Sequence, residues 1–437
     1  MNITLHILTY FALIAACFGA SFCTKDDKCD EPIVDAARYD NYRMYYVDID
    51  TSKHVEVLQK FEELSDSCIF MGHARNPGQK LSILVAAHKV ADFVDLLKTY
   101  EMKYKVLSYN FQEKIDKNLK EVLPKGVKVD KFDWNHYFHL ETIYEWLEKL
   151  SKDYEEVTLL DMGSSTQGIP MKGVKIARNP NNKAIFIESG IHAREWIAPA
   201  TATYIIDQLL TSKNPEIQKL ADNYNWIVFP SVNPDGYKYS FESDRMWRKN
   251  RQLFGICRGV DLNRNYPFHW NETGSSPDPC RYDYAGPSGA SEIETQRLIE
   301  FVKNNAHSEV IKTYIALHSY SQLIMFPYGF TPERVSNYDD LKAIGEKASE
   351  AIKQTHGKIY KSGSLYETIY PSSGGSKDWA HATMNIPITF TFELRGPPDS
   401  SDMFILPAEQ ILPTGEEAFA AIRTIVNEAA ARGYYTK

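Results

Sequence analysis

Cysteine is scarce in this chain of 437 residues: six occur, at positions 17, 23, 29, 68, 257 and 280, and no two form a Cys-x-x-Cys pair. That argues against a zinc site built from cysteines. Basic charge is short as well. Lys and Arg total 49 against 57 Asp and Glu, a net charge of −8, so nucleic acid is not the expected partner. Long apolar runs are missing except at the extreme N-terminus, which excludes a multi-span membrane protein. No internal repeat, low-complexity tract or Gly-x-Ser-x-Gly elbow is present, and the last absence removes hydrolases that present a nucleophilic serine on such a turn. The remaining composition, 43% hydrophobic and 24% charged, excludes global disorder. At roughly 150 residues per domain the length allows about three domains.

The one apolar run, Ile7 to Cys17, is too short to span a bilayer but has the length of a secretory signal, with small residues at Gly19, Ala20, Ser21 and Cys23 and charge from Lys25 onward. Residues 1–23 are read as a signal peptide; a buried N-terminal helix is the bland alternative. Secretion permits disulfides. Cys257 and Cys280 flank a polar stretch holding the glycosylation acceptor Asn271-Glu272-Thr273, a loop length that suits a staple. Cleavage after Cys23 leaves Cys29 and Cys68 as a second pair; earlier cleavage leaves Cys23 an odd thiol.

Residues 24–125 read as a small α+β unit. Strands are expected at Arg43–Ile49 and Leu81–Ala87, amphipathic helices at Val55–Leu64 and Val90–Tyr100, and a charged helix at Phe111–Val122 that ends in Leu123-Pro124-Lys125-Gly126. Lysines crowd this connection (Lys114, Lys117, Lys120, Lys125, Lys128, Lys131), equally consistent with a solvated linker and with a site nicked by a trypsin-like protease. From residue 126, β-rich runs (157–161, 172–176, 184–188, 226–232, 312–317, 387–392) alternate with helical patterns (140–154, 199–211, 292–304, 340–354, 415–432). This implies an α/β domain, a sheet with helices on both faces, with ligands beyond the carboxyl ends of its strands.

Those strand ends carry chemistry. After the 184–188 run come His192 and Glu195, three apart at a strand-to-helix turn, able to offer a nitrogen and a carboxylate to one metal ion. His269 and Glu272 share that spacing but lie in the polar stretch beside the glycosylation acceptor; His269 is read as a surface residue. His318 follows the 312–317 strand and would complete three protein ligands. Alone, such a histidine is usually a hydrogen-bonded core residue. Glu393 follows 387–392 directly; a buried unpaired carboxylate is costly, so it needs a cation or a task, here proton transfer. Arg245–Arg251 is basic, and Asp261-Leu262-Asn263-Arg264-Asn265 offers a planar cation and an amide suited to bidentate carboxylate capture.

Together, His-x-x-Glu within HAREW, SYSQ after His318, NRN at 263–265, IYPSSGGSKDW at 369–379 and FTFELR at 390–395 resemble the metallocarboxypeptidases of the A/B type, collinearly over roughly residues 130–437. The preceding hundred residues resemble that family's inhibitory pro-domain, which tips the lysine-rich connection toward activation cleavage. The resemblance implies a carboxypeptidase-like mixed sheet (126–437) after an open-sandwich pro-domain, and one Zn2+ held by His192, Glu195 and His318. It implies Glu393 as general base and acid, and Arg248 as oxyanion stabiliser. Asn263, Arg264 and Tyr370 would hold the substrate's terminal carboxylate, Arg194 and Tyr320 would line upstream subsites, and Asp261 would accept a hydrogen bond from the first zinc histidine. Cys257–Cys280 matches the family disulfide. It further implies a secreted monomer whose substrates are peptides with a free C-terminal carboxylate, activated by a trypsin-like protease, with no nucleic-acid or membrane partner; a digestive lumen suits it. No position of the catalytic set is altered, which argues against a non-catalytic binding relative.

The specificity pocket is expected to be lined by Met325, Leu365 and Ile369, with small residues at Ala316, Gly329, Ser372 and Thr391. In the family, an apolar residue at position 377 goes with apolar C-termini and Asp with basic ones. This chain has Lys377. A buried unpaired ammonium would repel cations and favour a C-terminal Glu, or Asp; paired with Asp378 or turned to water, it would leave an apolar pocket.

Overall fold

The computed structural model describes residues 36–64, 67–126, 132–305 and 310–436. The expected signal peptide, with Cys17 and Cys23, lies outside them, as do Cys29, the candidate partner of Cys68, and Lys128 and Lys131.

The N-terminal unit holds β1 (Arg43–Ile49), α1 (Ser52–Leu64), β2 (Cys68–Phe70), β3 (Gln79–Val85), α2 (Val90–Thr99), β4 (Tyr104–Ser108) and α3 (Phe111–Lys120). Its antiparallel sheet runs β2-β3-β1-β4. Side chains alternate between faces along a strand, and here each face has its own cover. Tyr45, Val47, Ile49, Leu81 and Ile83 pack with Val55 and Leu58 of α1 and Phe93 and Leu97 of α2. Met44 and Leu84, one residue out of phase, share a second buried cluster with Phe111, Ile115, Met246, Tyr320 and Phe404. The sheet is therefore sandwiched between its own helices and the C-terminal domain.

That domain comprises α4 (Leu140–Asp153), β5 (Val157–Ser164), β6 (Pro170–Ile176), β7 (Ala184–Ser189), α5 (Ile197–Thr211), α6 (Pro215–Asn223), β8 (Asn225–Phe229), α7 (Pro234–Glu242), the short hairpin β9 (Leu253–Phe254) and β10 (Cys257–Arg258), α8 (Ile293–Asn305), β11 (Ile311–His318), β12 (Leu323–Phe326), α9 (Tyr338–His356), β13 (Lys361–Ser364), α10 (Leu365–Thr368), α11 (Ser376–Ala382), β14 (Ile388–Glu393) and α12 (Ile411–Ala431). Eight strands form one mixed sheet, β13-β12-β14-β11-β7-β8-β6-β5. The central strands β8, β7, β11 and β14 are parallel and buried on both faces, hence their near-continuous apolar sequences. Ile185, Ile187, Ile315, Leu317, Phe390 and Phe392 face the layer that includes α4, α5, α9 and α12. Phe186, Phe229, Tyr314 and Ala316 face α8 and α11. Because β7, β11 and β14 run in one direction, their carboxyl ends meet: Leu317 pairs with Ser189, and His318 with Glu393.

Candidate active site

At that edge the chain leaves β7 through Gly190, whose φ of 64° lies in the left-handed region. A side chain there would also meet Pro230 O at 3.0 Å, so glycine is required twice over. The turn delivers His192 and Glu195 just before α5. Their side chains and that of His318 are all buried, with ligand atoms within 4.8 Å of one another. His192 Nδ1 is 2.8 Å from Glu195 Oε1, His318 Nδ1 is 3.1 Å from Glu195 Oε2, and the two Nδ1 atoms are 3.1 Å apart. Two imidazole lone pairs and a carboxylate converging in a buried space form a donor set that fits zinc.

The outer side of His192 is fixed as well. Its Nε2 lies 3.1 Å from Asp261 Oδ1, while Asp261 Oδ2 accepts from Arg248 Nε at 2.9 Å and Nη2 at 2.8 Å. Asp261 thereby sets the imidazole tautomer and aims Arg248 together. Burial alone would raise Asp261, but Arg248, Arg264 and His192 outweigh it and hold the carboxyl well below its ordinary range. Glu393, in register with His318, is pushed up to about 8, chiefly by burial, with Glu195 reinforcing and His318 opposing.

The cleft beside this cluster is lined by Arg194, Arg248, Asn263, Arg264, Tyr320, Tyr370 and Glu393 together with His192 and Glu195. Arg264 donates to Gly274 O at 2.7 Å and to Tyr370 Oη at 3.3 Å. Asn263 Oδ1 accepts from the Ser376 amide. Arg194 lies 4.0 Å over the Phe404 ring, and burial, seconded by Arg248, lowers it to about 10. His318 and Asp261 stand just behind these walls, against Glu195 and His192.

Lys377 is placed differently from its expected position. Met325, Leu365, Ile369, Ser372 and Thr391 line the cleft as expected, but Lys377, Ala316 and Gly329 are not among its walls. Lys377 sits in the first turn of α11, buried, its Nζ 2.5 Å from Asp378 Oδ1, while Asp378 Oδ2 accepts from the Gly329 amide at 2.8 Å. The ammonium expected to lack a partner has one, because adjacent side chains at a buried helix start meet there. Cys257 and Cys280 form the disulfide. His269 pairs with Glu272, half-exposed and away from the cluster, and Asn271 is exposed.

Sequence reasoning missed four groups here. Tyr282, beside Cys280, and Phe404 line the cleft, as do Met71 and Gly72 from the N-terminal unit; nothing in their local sequence marks them. Glu188 was legible: its carboxyl ends a buried strand, accepts from Ser376, and is raised by burial.

The chain matches the zinc carboxypeptidase family over residues 143–421 and the carboxypeptidase activation peptide over residues 45–118. It is 43% identical to zinc carboxypeptidase A 1 of Anopheles gambiae over 403 residues, 92% of each chain. To carboxypeptidase B of Rattus norvegicus it is 34% identical, covering 89% of this chain and 94% of that one. The crystal structure of thrombin-activatable fibrinolysis inhibitor superposes with a TM-score of 0.81 at 30% identity, over 89% of this chain and 98% of that one. With its buried His-Glu-His cluster and its preceding activation peptide, the chain belongs to the zinc carboxypeptidases and is a proenzyme of that family.

Proposed function

We propose that the chain is a secreted exopeptidase that removes the C-terminal residue of peptides. Residues 1–23 are the signal, 24–125 the inhibitory pro-domain and activation segment, and 126–437 the catalytic domain; a trypsin-like protease cuts within the lysine-rich connection. His192, Glu195 and His318 would hold the zinc ion, which would supply Lewis-acid polarisation of the scissile carbonyl and acidify water. Arg264, Asn263 and Tyr370 bind the terminal carboxylate, so that only a chain end fits. Glu393, poised by burial to hold a proton, takes it from the attacking water and returns it to the leaving amine. Arg248, held in place by Asp261, donates to the carbonyl oxygen as charge develops. The observation that carries this reading is the register of β11 on β14, which sets Glu393 beside His318. Its test is mass-spectrometric analysis of peptides incubated with the cleaved protein. Loss of one residue at a time from the C-terminus, abolished by a chelator and by Glu393→Gln, is expected; internal cuts would refute it.

For the residue removed we propose Glu, with Asp next, through Lys377. Asp378 accepts a hydrogen bond from one of the Lys377 ammonium protons, which leaves two for a substrate carboxylate that reaches the pocket floor. The Lys377–Asp378 pair supports a second reading: the floor is neutral overall and the walls of Met325, Leu365 and Ile369 select an apolar residue. Relative kcat/KM on peptides ending in Glu, Phe and Arg separates them.

A further inference from the structure

One contact between the N-terminal unit and the catalytic domain is built around a single titratable ring. The segment after β2 carries Met71 and Gly72 into the cleft, and the next residue, His73, lies largely buried between the two parts of the chain. Its Nδ1 is 3.3 Å from Glu62 Oε1 of α1, and its Nε2 is 3.3 Å from Asp283 Oδ2 of the catalytic domain. A neutral imidazole carries one N–H and cannot donate to both carboxylates; only the protonated ring can. Arg281 binds the Glu62 carboxylate at 2.8 Å and the Glu62 carbonyl at 2.8 Å, but stays 3.9 Å from Asp283. His73 is therefore the nearest cation Asp283 can have, with Arg281 and Arg264 adding weaker attraction. Tyr282 stacks on the His73 ring, and its hydroxyl lies 3.2 Å from Nε2 and 3.4 Å from Gly72 O. Tyr370, of the proposed carboxylate-binding group, meets His73 edge-on and carries Arg75 over its face.

We infer that His73 is a protonation-dependent latch: doubly protonated, it ties the pro-domain to the rim of the cleft through Glu62 and Asp283, and on losing its proton it releases that rim. This rests on the reading of the N-terminal unit as an inhibitory pro-domain. Burial disfavours the charged ring, but Asp283 and Glu62 outweigh it and the net shift of His73 is upward. A group raised on docking strengthens the docked state below its ordinary value and loses that contribution as pH rises through the raised one. The latch therefore holds fully below the ordinary histidine value near 6.5 and loosens as pH rises through the raised one. With one proton linked, the docking equilibrium falls by at most about tenfold per pH unit.

The test uses the uncleaved full chain. Its activity on a short peptide, divided by that of the protease-cleaved enzyme at the same pH, is expected to climb several-fold between about pH 6 and 9. His73→Gln, which keeps one donor and no charge, should be high and flat across the range, and Asp283→Asn should shift the wild-type rise to lower pH. Amide exchange over 71–75 and 281–284 in the same uncleaved protein, corrected for intrinsic rates, provides a readout independent of catalysis. Protection that fades with pH in the wild type and is low throughout in His73→Gln supports the latch. A pH-independent ratio and protection, or identical profiles in the variant, overturn it. Protection behaving as expected in a protein that is inactive after cleavage would count against the peptidase reading alone.

Discussion

At the scale of single residues, the proposed mechanism joins a charge that must stay with one that must move. Asp261 is held ionised by Arg248, Arg264 and His192, while Glu393 is driven toward its neutral form by burial. Such opposed carboxyls are what acid–base work requires. Glu393→Gln should lower kcat by about 10²–10⁴ without shifting the melting temperature of the zinc-loaded protein downward; activity within tenfold of wild type would remove it as the proton carrier. Arg248→Ala removes one oxyanion donor, a loss of about 2.7–4 kcal/mol of transition-state stabilisation, and should appear in kcat rather than KM. Lys377 is the sharpest discriminator. Under the acidic preference, Lys377→Met should lower kcat/KM for a peptide ending in Glu by tenfold or more and raise it for Phe. Unchanged ratios would mean that the buried pair with Asp378 shields the ammonium from substrate.

At the scale of elements, what was legible followed from burial. The central strands β7, β11 and β14, packed on both faces, are mostly apolar, and their boundaries read off within about two residues. The polar residues that end them (Glu188, His318, Glu393) stand out against that background. Elements held by tertiary context did not announce themselves. Strand β13, Lys-Ser-Gly-Ser, has no β-branched residue and exists because β12 pairs with it. Helix α11 follows two glycines and opens on Ser376, Lys377 and Asp378, which reads as loop; Trp379 and Ala380 bury it against the sheet. That burial also brought Lys377 against its neighbour Asp378. The same helix carries His381, lowered to about 4 mainly by burial, its Nδ1 3.1 Å from Ile386 O. A depressed value contributes stability that is present above the ordinary histidine value near 6.5 and lost as pH falls through about 4. Acidifying across that window should cost up to roughly 3 kcal/mol. The melting temperature of His381→Gln should show a shallower acid decline than wild type; parallel curves would place the acid sensitivity elsewhere.

At the scale of the whole molecule, inhibition and substrate binding draw on one surface. Tyr320 and Phe404, which line the cleft, belong to the same buried cluster as Met44, Leu84, Phe111 and Ile115 of the N-terminal unit. Polar ties frame that cluster: Ser82 donates to Pro398 O at 2.9 Å, Lys114 reaches Asp402 at 2.7 Å, and Arg245 donates to Asn118 at 3.0 Å. Under the proposed function, a peptide entering past Tyr320 and Phe404 would have to displace the N-terminal unit or wait until a protease has freed it. Leu84 tests this without touching the machinery. It is fully buried on the face turned toward the catalytic domain, whereas Ile83 beside it points into the helices of its own unit. Leu84→Ala should weaken docking by about 2–5 kcal/mol, so that uncleaved protein turns over a short peptide faster, while the cleaved enzyme, having lost the segment, is indistinguishable from wild type. If the uncleaved variant stays as quiet as the wild type, the apolar contact is not what closes the cleft, and the charged rim around Glu62, His73, Arg281 and Asp283 must hold it shut by itself.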